Sequence, residues 1–418
     1  MMVNLLLVVA AGTIPFSSQA RPNFIIFQPD DQPFFDSWGP PPNNPKTPAR
    51  KVPSPGLPFM ERIRSEGVSF SNAYVASPAC GTSRFATMTG KLPSRSLTGR
   101  AGNKNAAKRT LTTIPNTKLS GTDCSADNIP TVLKAAGYRT GVSGKWHLED
   151  GNPATYAEAH IGVKACGFDW AEGLYLHNFD RDATRDYSHN MEWITKSALD
   201  FLDTVDNSTP FFLYFNPTWP HEPSVEEALN NYPCTKTPAG SLASEPQVPN
   251  ITVGTTCDAY RSSVKSRWAA ASSNLPVEQG LGALLADDAL GALMAALDRK
   301  GILDNTFIAV QMDHGIETKA ALFENGNRVS LMARYPPILR PGGVYSGLVS
   351  NMDLARTVLE LSGAEPTYDM DGVSWKQEVT ASLSSGGAPS SYWTERCLFF
   401  EFDLDRAVRC GCHKLISI

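Results

Sequence analysis

Long basic runs are missing from this sequence, and its 37 Lys and Arg are outnumbered by 42 Asp and Glu, for a formal net charge of −5. That balance argues against a nucleic-acid surface. Internal repeats are missing as well, so nothing reads as a repeat array. Beyond residue 20 no stretch approaches eighteen consecutive apolar residues, and no membrane span is expected in the mature chain.

The chain has 418 residues, 42% of them hydrophobic, enough for one large domain with a sizeable core plus a smaller one. Its first twenty residues, MMVNLLLVVAAGTIPFSSQA, hold a short apolar stretch that runs into small residues. The stretch is too short to span a bilayer and reads as a signal peptide cut after Ala20, although a basic n-region is lacking. Eight cysteines (Cys80, Cys124, Cys166, Cys234, Cys257, Cys397, Cys410 and Cys412) fit an oxidising compartment. Two sequons, at Asn207 and Asn250, allow N-glycans in a eukaryotic host.

The pattern of elements points to an α/β fold. NFIIFQPDD is an apolar run that breaks into Asp30 and Asp31, a buried strand with acids at its carboxyl end. A Pro-rich loop over 39–58 and a helix near 58–66 follow. Helix and strand then alternate: a helix from Asn128 to Gly137 before a strand toward Lys145, a helix near 190–205 before PFFLYF, and a helix around 277–299 before NTFIAVQM. A strand around 329–334 leads to the helix MDLARTVLELSG. This predicts a large, mostly parallel sheet with helices on both faces. Such sheets bind ligands outside the carboxyl ends of their strands. Asp30, Asp31, Lys145, His147, His221, Asp313 and His314 all fall just after predicted strands. Residues 216–275 read as a long insertion carrying substrate loops.

Taken singly, each candidate has an ordinary explanation. Adjacent aspartates are usually a solvated turn, Asp-His-Gly is a turn, and Lys319 is a surface lysine. If the strand continued through Lys145 and His147, both would share one face. His221 sits between prolines in WPHEP, and Cys80 in a secreted chain would ordinarily pair in a disulfide. If Asp313 and His314 converge on the aspartate pair, an anionic cage for a hard divalent cation results.

Taken together and in order, these segments resemble the sulfatase family, from about Pro22 to the C-terminus. The family's Cys-x-Pro-Ser-Arg box stands here as Cys80-Gly81-Thr82-Ser83-Arg84, followed by FATMTG. GKWHLG stands as GKWHLE, PFFLYLAFNAPHTP as PFFLYFNPTWPHEP, Asp-Asn-Gly as Asp313-His314-Gly315, and KGTLYEGGIRVPLI as KAALFENGNRVSLM. The resemblance implies an alkaline-phosphatase-like α/β domain over 21–370. It also implies the start of a small C-terminal antiparallel subdomain over 371–418, where RAVRCGCHKLISI reads as an incomplete end.

For function the resemblance implies a secreted or lumenal sulfatase, lysosomal or periplasmic according to host, acting on an aryl or carbohydrate sulfate. Cys80 would be oxidised to formylglycine by a formylglycine-generating enzyme. One hydroxyl of the hydrated aldehyde would attack sulfur, and deprotonation of the second would release the sulfate. Asp30, Asp31, Asp313, His314 and residue 80 would hold one divalent cation. Arg84 and Lys145 would orient the diol, His147 would take its proton, and His221 and Lys319 would bind sulfate and assist the leaving alcohol.

Two departures from the pattern matter. Thr82 replaces the usual proline of the box read by the modifying enzyme. His314 stands where many members carry asparagine, which leaves Mg²⁺ and Mn²⁺ open beside Ca²⁺. Related phosphodiester and phosphonate monoester hydrolases also carry Asp-His there, so phosphoryl transfer is one alternative. An inactive sulfatase-like binding glycoprotein is the other.

Overall fold

Strand β1, Asn23–Phe27, is apolar without alternation because both of its faces are covered, and Phe24 to Phe27 are fully buried. It lies inside a nine-stranded sheet, in a computed structural model that describes residues 21–32, 56–98, 117–149, 155–176, 186–271, 276–386 and 388–417. The expected signal peptide (1–20) and most of the Pro-rich loop lie outside the described residues.

The strands after β1 are β2 (Val68–Tyr74), β3 (Arg139–Lys145), β4 (Trp170–Tyr175), β5 (Phe211–Asn216), β6 (Lys236–Thr237) and β7 (Gly240–Ser241). They continue with β8 (Thr306–Gln311), β9 (Arg328–Arg334), β10 (Gly343–Tyr345) and β11 (Val349–Ser350). The main sheet runs β10-β2-β9-β8-β1-β5-β3-β4, with β11 also on β2. Only β9 is antiparallel to its neighbours, so the sheet is mostly parallel, as the alternation predicts. β2 and β4 were not legible as strands: VSFSNAY and WAEGLY interrupt their apolar residues with Ser, Asn, Glu and Gly.

Helices cover both faces. Helix α1 (Pro58–Glu66), the helix Met191–Thr204 and the helix Val277–Arg299 lie on one side. Helix α2 (Cys80–Thr89), the helix Ile129–Ala135 and the helix Asn351–Ser362 lie on the other. Helix 277–299 is long and apolar enough by composition to cross a membrane, but 89% of its most apolar window is packed inside the protein. It is apolar all round because it is a core helix.

Local chemistry sets several boundaries. α1 begins with proline and has no side-chain cap of its own; Asp287 of helix 277–299 accepts the N–H groups of Phe59 and Met60 instead. Helix 351–362 opens with a Ser350–Asp353 capping box and ends at Gly363, whose φ of 74° lies in the left-handed region that favours glycine.

Within the expected insertion over 216–275, the described residues 216–271 hold regular elements as well as loops. They fold into helices Val225–Asn231 and Cys257–Ala270 and the β6–β7 hairpin, closed by the Cys234–Cys257 disulfide. A buried Arg261–Glu192 ion pair at 2.6 Å ties this unit to helix 191–204. Proline and serine in that stretch mark caps and turns rather than the absence of structure.

The small sheet of β12 (Cys397–Phe402), β13 (Asp405–Cys410) and β14 (His413–Ser417) is antiparallel and bridged by Cys397–Cys410. Its inner face, Leu398, Phe400 and Ala407, packs on Tyr74, Leu322 and Leu348.

Candidate active site

The carboxyl ends of β1, β3, β5 and β8 meet the start of α2 at one place. Asp30 is fully buried after β1, and its backbone N–H donates to Pro217 O at 3.2 Å. Asp31 turns out of the strand at φ 55°, and its N–H donates to Asp313 Oδ1 at 3.2 Å. Asp313 and His314 follow β8, both fully buried. Cys80 is the first residue of α2 and 3% exposed, with Sγ 3.2 Å from His314 Nε2. Three disulfides, Cys124–Cys166, Cys234–Cys257 and Cys397–Cys410, take six cysteines, which leaves Cys80 and the exposed Cys412 as thiols. The disulfide reading of Cys80 therefore falls.

Arg84, one turn further along α2, is buried beneath the cluster. Its Nη2 lies 3.4 Å from Asp30 and 3.3 Å from Asp313, and its Nη1 donates to Lys145 O at 3.3 Å. Lys145 forms an ion pair with Asp30 through Nζ. β3 ends at Lys145, and His147 takes φ 56°, so the strand does not continue through the pair and the shared-face argument fails. A left-handed turn, not alternation, brings His147 to Cys80. His221 donates through Nδ1 to Glu222 O at 2.8 Å, which leaves Nε2 facing Asp31 at 3.6 Å. Lys319 Nζ contacts both oxygens of Asp31, at 2.9 and 2.8 Å. All ten residues singled out in the sequence thus converge.

The electrostatics follow from this crowding. Burial pushes the Asp30 carboxyl up, but Lys145, His221 and Arg84 outweigh it and hold the group well below the ordinary carboxylate range. Asp313 goes the other way, raised by burial and by the neighbouring Asp30 charge. Burial alone would lower His314; the charges of Asp313 and Cys80 lift it to about 10. Burial lowers His147 to about 4, so its ring is neutral near pH 7. His221 is raised despite its burial, chiefly by Asp30, and Lys319 is raised by Cys80 and Asp31.

One donor atom from each of Asp30, Cys80, Asp313 and His314 lies within 4.8 Å of the others, and the same holds for Asp31, Cys80 and His221. Two buried carboxylates and a third beside them are the donors a hard divalent cation takes. Without such a charge they repel, and the Asp30 charge accordingly adds to burial in raising Asp313. The residues fit a cation. Around it stand Lys319, His221 and the start of α2, groups suited to a tetrahedral oxyanion.

Two neighbours escaped the sequence reading. His189 is buried behind the His221 loop, with Nδ1 2.8 Å from Thr218 Oγ1 and its ring 5.4 Å from Trp219. Lys118 reaches His147 O at 3.4 Å. Neither lies in a motif; only tertiary placement reveals them.

The sulfatase family profile matches residues 22–364. N-acetylgalactosamine-6-sulfatase of Mus musculus is 27% identical over 413 residues, covering 88% of this chain and 68% of that protein. N-acetylglucosamine-6-O-sulfatase of Bacteroides thetaiotaomicron is 24% identical, covering 84% and 71%. An arylsulfatase of Hemicentrotus pulcherrimus is 28% identical, covering 85% and 62%. Among solved structures, Ps i-CgsB in complex with k-i-k-neocarrahexaose superposes with a TM-score of 0.62 at 21% identity, over 95% of this chain and 84% of that one. A phosphonate monoester hydrolase from Silicibacter pomeroyi superposes with a TM-score of 0.58 at 19% identity, over 96% and 87%. At these identities the structural matches carry the fold.

Proposed function

Because the chain belongs to the sulfatase family and is a sulfuric ester hydrolase, we propose that it cleaves aryl or carbohydrate sulfate esters with a formylglycine made from Cys80. The observation that carries this reading is Cys80 itself, an unpaired, buried cysteine at the first turn of α2 against His314. The hexosamine-6-sulfatases among the relatives favour the carbohydrate arm.

Asp30, Asp31, Asp313 and His314 would hold the cation with residue 80, where it supplies Lewis-acid activation of the attacking oxygen. The hydrated aldehyde supplies that oxygen and a second hydroxyl. Ca²⁺ suits the carboxylates best, with Mg²⁺ or Mn²⁺ compatible with the histidine. Arg84 and Lys145 fix the positions of Asp30 and residue 80. His147, neutral near pH 7, is set to take the proton of the second hydroxyl, which releases sulfate. His221 and Lys319 neutralise sulfate oxygens, and His221 hands a proton to the departing alcohol.

Cys80 is 3% exposed within a helix buried along its whole length, so a formylglycine-generating enzyme must meet this segment before the fold closes. Three disulfides and the exposed sequon residues Asn207 and Asn250 support passage through a secretory compartment, with N-glycans in a eukaryotic host. We read 21–370 as the catalytic unit and 371–418 as the smaller one.

A peptide mass spectrum across Cys80, from a host that makes formylglycine, tests the first step. An aldehyde shows that the Thr82 box is read; a persistent thiol favours the inactive binding protein. Phosphoryl transfer is the other alternative, kept by Asp313-His314. Side-by-side rates on an aryl sulfate and an aryl phosphate diester decide it, and a large phosphate preference would overturn the sulfatase assignment.

A further inference from the structure

A buried polar layer lies directly under the site and takes no part in the chemistry proposed above. Its centre is Thr87, in the third turn of α2 and fully buried. Its hydroxyl donates to Ser83 O at 3.1 Å, the usual back-bond of a threonine inside a helix. Three amide groups donate to the same oxygen: Gln28 Nε2 at 3.3 Å, Gln311 Nε2 at 3.4 Å and Asn351 Nδ2 at 3.1 Å. An oxygen with two lone pairs cannot satisfy three donors fully, so they share it. Asn351 also donates to Ser83 O at 3.0 Å and accepts from Ala76 N at 3.0 Å. Gln28 accepts from the Tyr214 hydroxyl. All of these side chains are buried, in a layer that is otherwise apolar.

The sources of the three amides make the arrangement informative. Gln28 lies two residues before Asp30, and Gln311 lies two residues before Asp313. β1 ends at Phe27 and β8 at Gln311, so each amide sits where its strand gives way to the segment carrying the carboxylate. Thr87 stands three residues beyond Arg84 and seven beyond Cys80 on one helix, so about two turns separate it from the candidate nucleophile position. One hydroxyl therefore joins the helix that carries residue 80 and Arg84 to the two strands that deliver the buried carboxylates. Asn351 ties the same point to the helix 351–362 and to the segment leading into α2.

We infer that Thr87 is a positioning residue, which through Gln28, Gln311 and Asn351 fixes the height and rotation of α2 over β1 and β8, and so the spacing of residue 80 and Arg84 from Asp30 and Asp313. A methyl group in place of the hydroxyl keeps the volume and removes the shared acceptor, leaving the buried Gln28 and Gln311 amides short of a partner while Asn351 keeps Ser83 O. The inference rests on the sulfatase reading for its consequence in rate, but not for its consequence in structure.

The test uses Thr87→Val and Thr87→Ser in the full chain, with two readouts: turnover of an aryl sulfate, and hydrogen exchange of the peptides covering residues 80–90. Thr87→Val is expected to lower kcat about tenfold or more with KM nearly unchanged, since sub-ångström displacement of reacting groups acts on the rate. Exchange in α2 should rise in the same variant, and Thr87→Ser should restore both. Gln311→Met removes one donor and an acceptor without a partner, and gives a milder version should the valine variant fold poorly. It should lower kcat in the same direction and be less than additive with Thr87→Val. Parental kcat and exchange in Thr87→Val would overturn the inference, and so would faster exchange with parental kcat. A parent chain that turns over no sulfate ester would count against the sulfatase reading alone; the exchange readout would then decide whether Thr87 holds the helix.

Discussion

Lys319 Nζ lies 2.9 and 2.8 Å from the two carboxylate oxygens of Asp31, a contact between residues 288 positions apart. It fastens the loop after β8 across the mouth of the site. Burial would weaken the ammonium, but Cys80 and Asp31 outweigh it, so Lys319 carries its charge throughout the working pH range. Lys319→Ala should reduce turnover of an aryl sulfate on the order of a hundredfold. The melting temperature should hardly move, because the pair is partly exposed. Steady-state kinetics with a melting curve checks both, and full activity would place the site elsewhere.

Chelation should act on stability as well as on rate. Asp30 and Asp313 are buried together with Arg84 and Lys145 as the nearest fixed cations. Stripping a divalent ion leaves carboxylates that repel each other, so exhaustive chelation should abolish turnover and lower the melting temperature. Adding back Ca²⁺, Mg²⁺ or Mn²⁺ singly should restore both, and the most effective ion identifies the metal. A melting curve indifferent to chelator and to all three ions would argue that no cation sits there.

Ala320 holds φ 65° while its N–H donates to Pro78 O at 2.8 Å, two residues before Cys80. A side chain with Cβ is strained in that conformation by roughly 1–2 kcal/mol, offset in part by the extra freedom glycine brings to the unfolded chain. Ala320→Gly should therefore stabilise the fold by about 0.5–1 kcal/mol with activity intact. Denaturant titration decides it; a loss of stability would mean that the strain lies elsewhere.

Asp287, buried where it caps α1, gives a pH signature. Burial lifts its carboxyl to about 7, against the pull of the Met60 and Phe59 N–H groups. In the unfolded chain an aspartate titrates near 3.9. Between those values the folded state keeps a proton that the unfolded state has lost, so stability falls as pH rises through that window. Asp287→Asn should flatten this part of the profile and gain on the parent between pH 5 and pH 8. Equal slopes for the two proteins in chemical denaturation would refute the assignment.

What the sequence revealed was mostly the sheet's centre. β1, β5 and β8 are unbroken apolar runs, and the polar residues that follow each run mark the site edge. The rest depended on tertiary structure. His147 reaches Cys80 through a turn with positive φ, which the GKWHL spacing does not encode. Residues 216–275 looked irregular because their order comes from a disulfide and a buried ion pair between distant positions. Gln28 and Gln311 each stand two residues before a site aspartate, yet nothing in the sequence marks Thr87 as their common partner, which only the placed helix shows.

The position of β1 has a consequence for how the chain comes together. It is the earliest described strand, yet its partners are β5 and β8, ending at residues 216 and 311. During synthesis NFIIF must wait for nearly two hundred further residues before its first neighbour exists, and almost a hundred more before its second. Pairings so distant in sequence form slowly, and an uncovered apolar strand in the meantime invites association with other chains. The central strand is thus among the last to be satisfied, and the cluster of side chains at its end comes together only when the sheet closes.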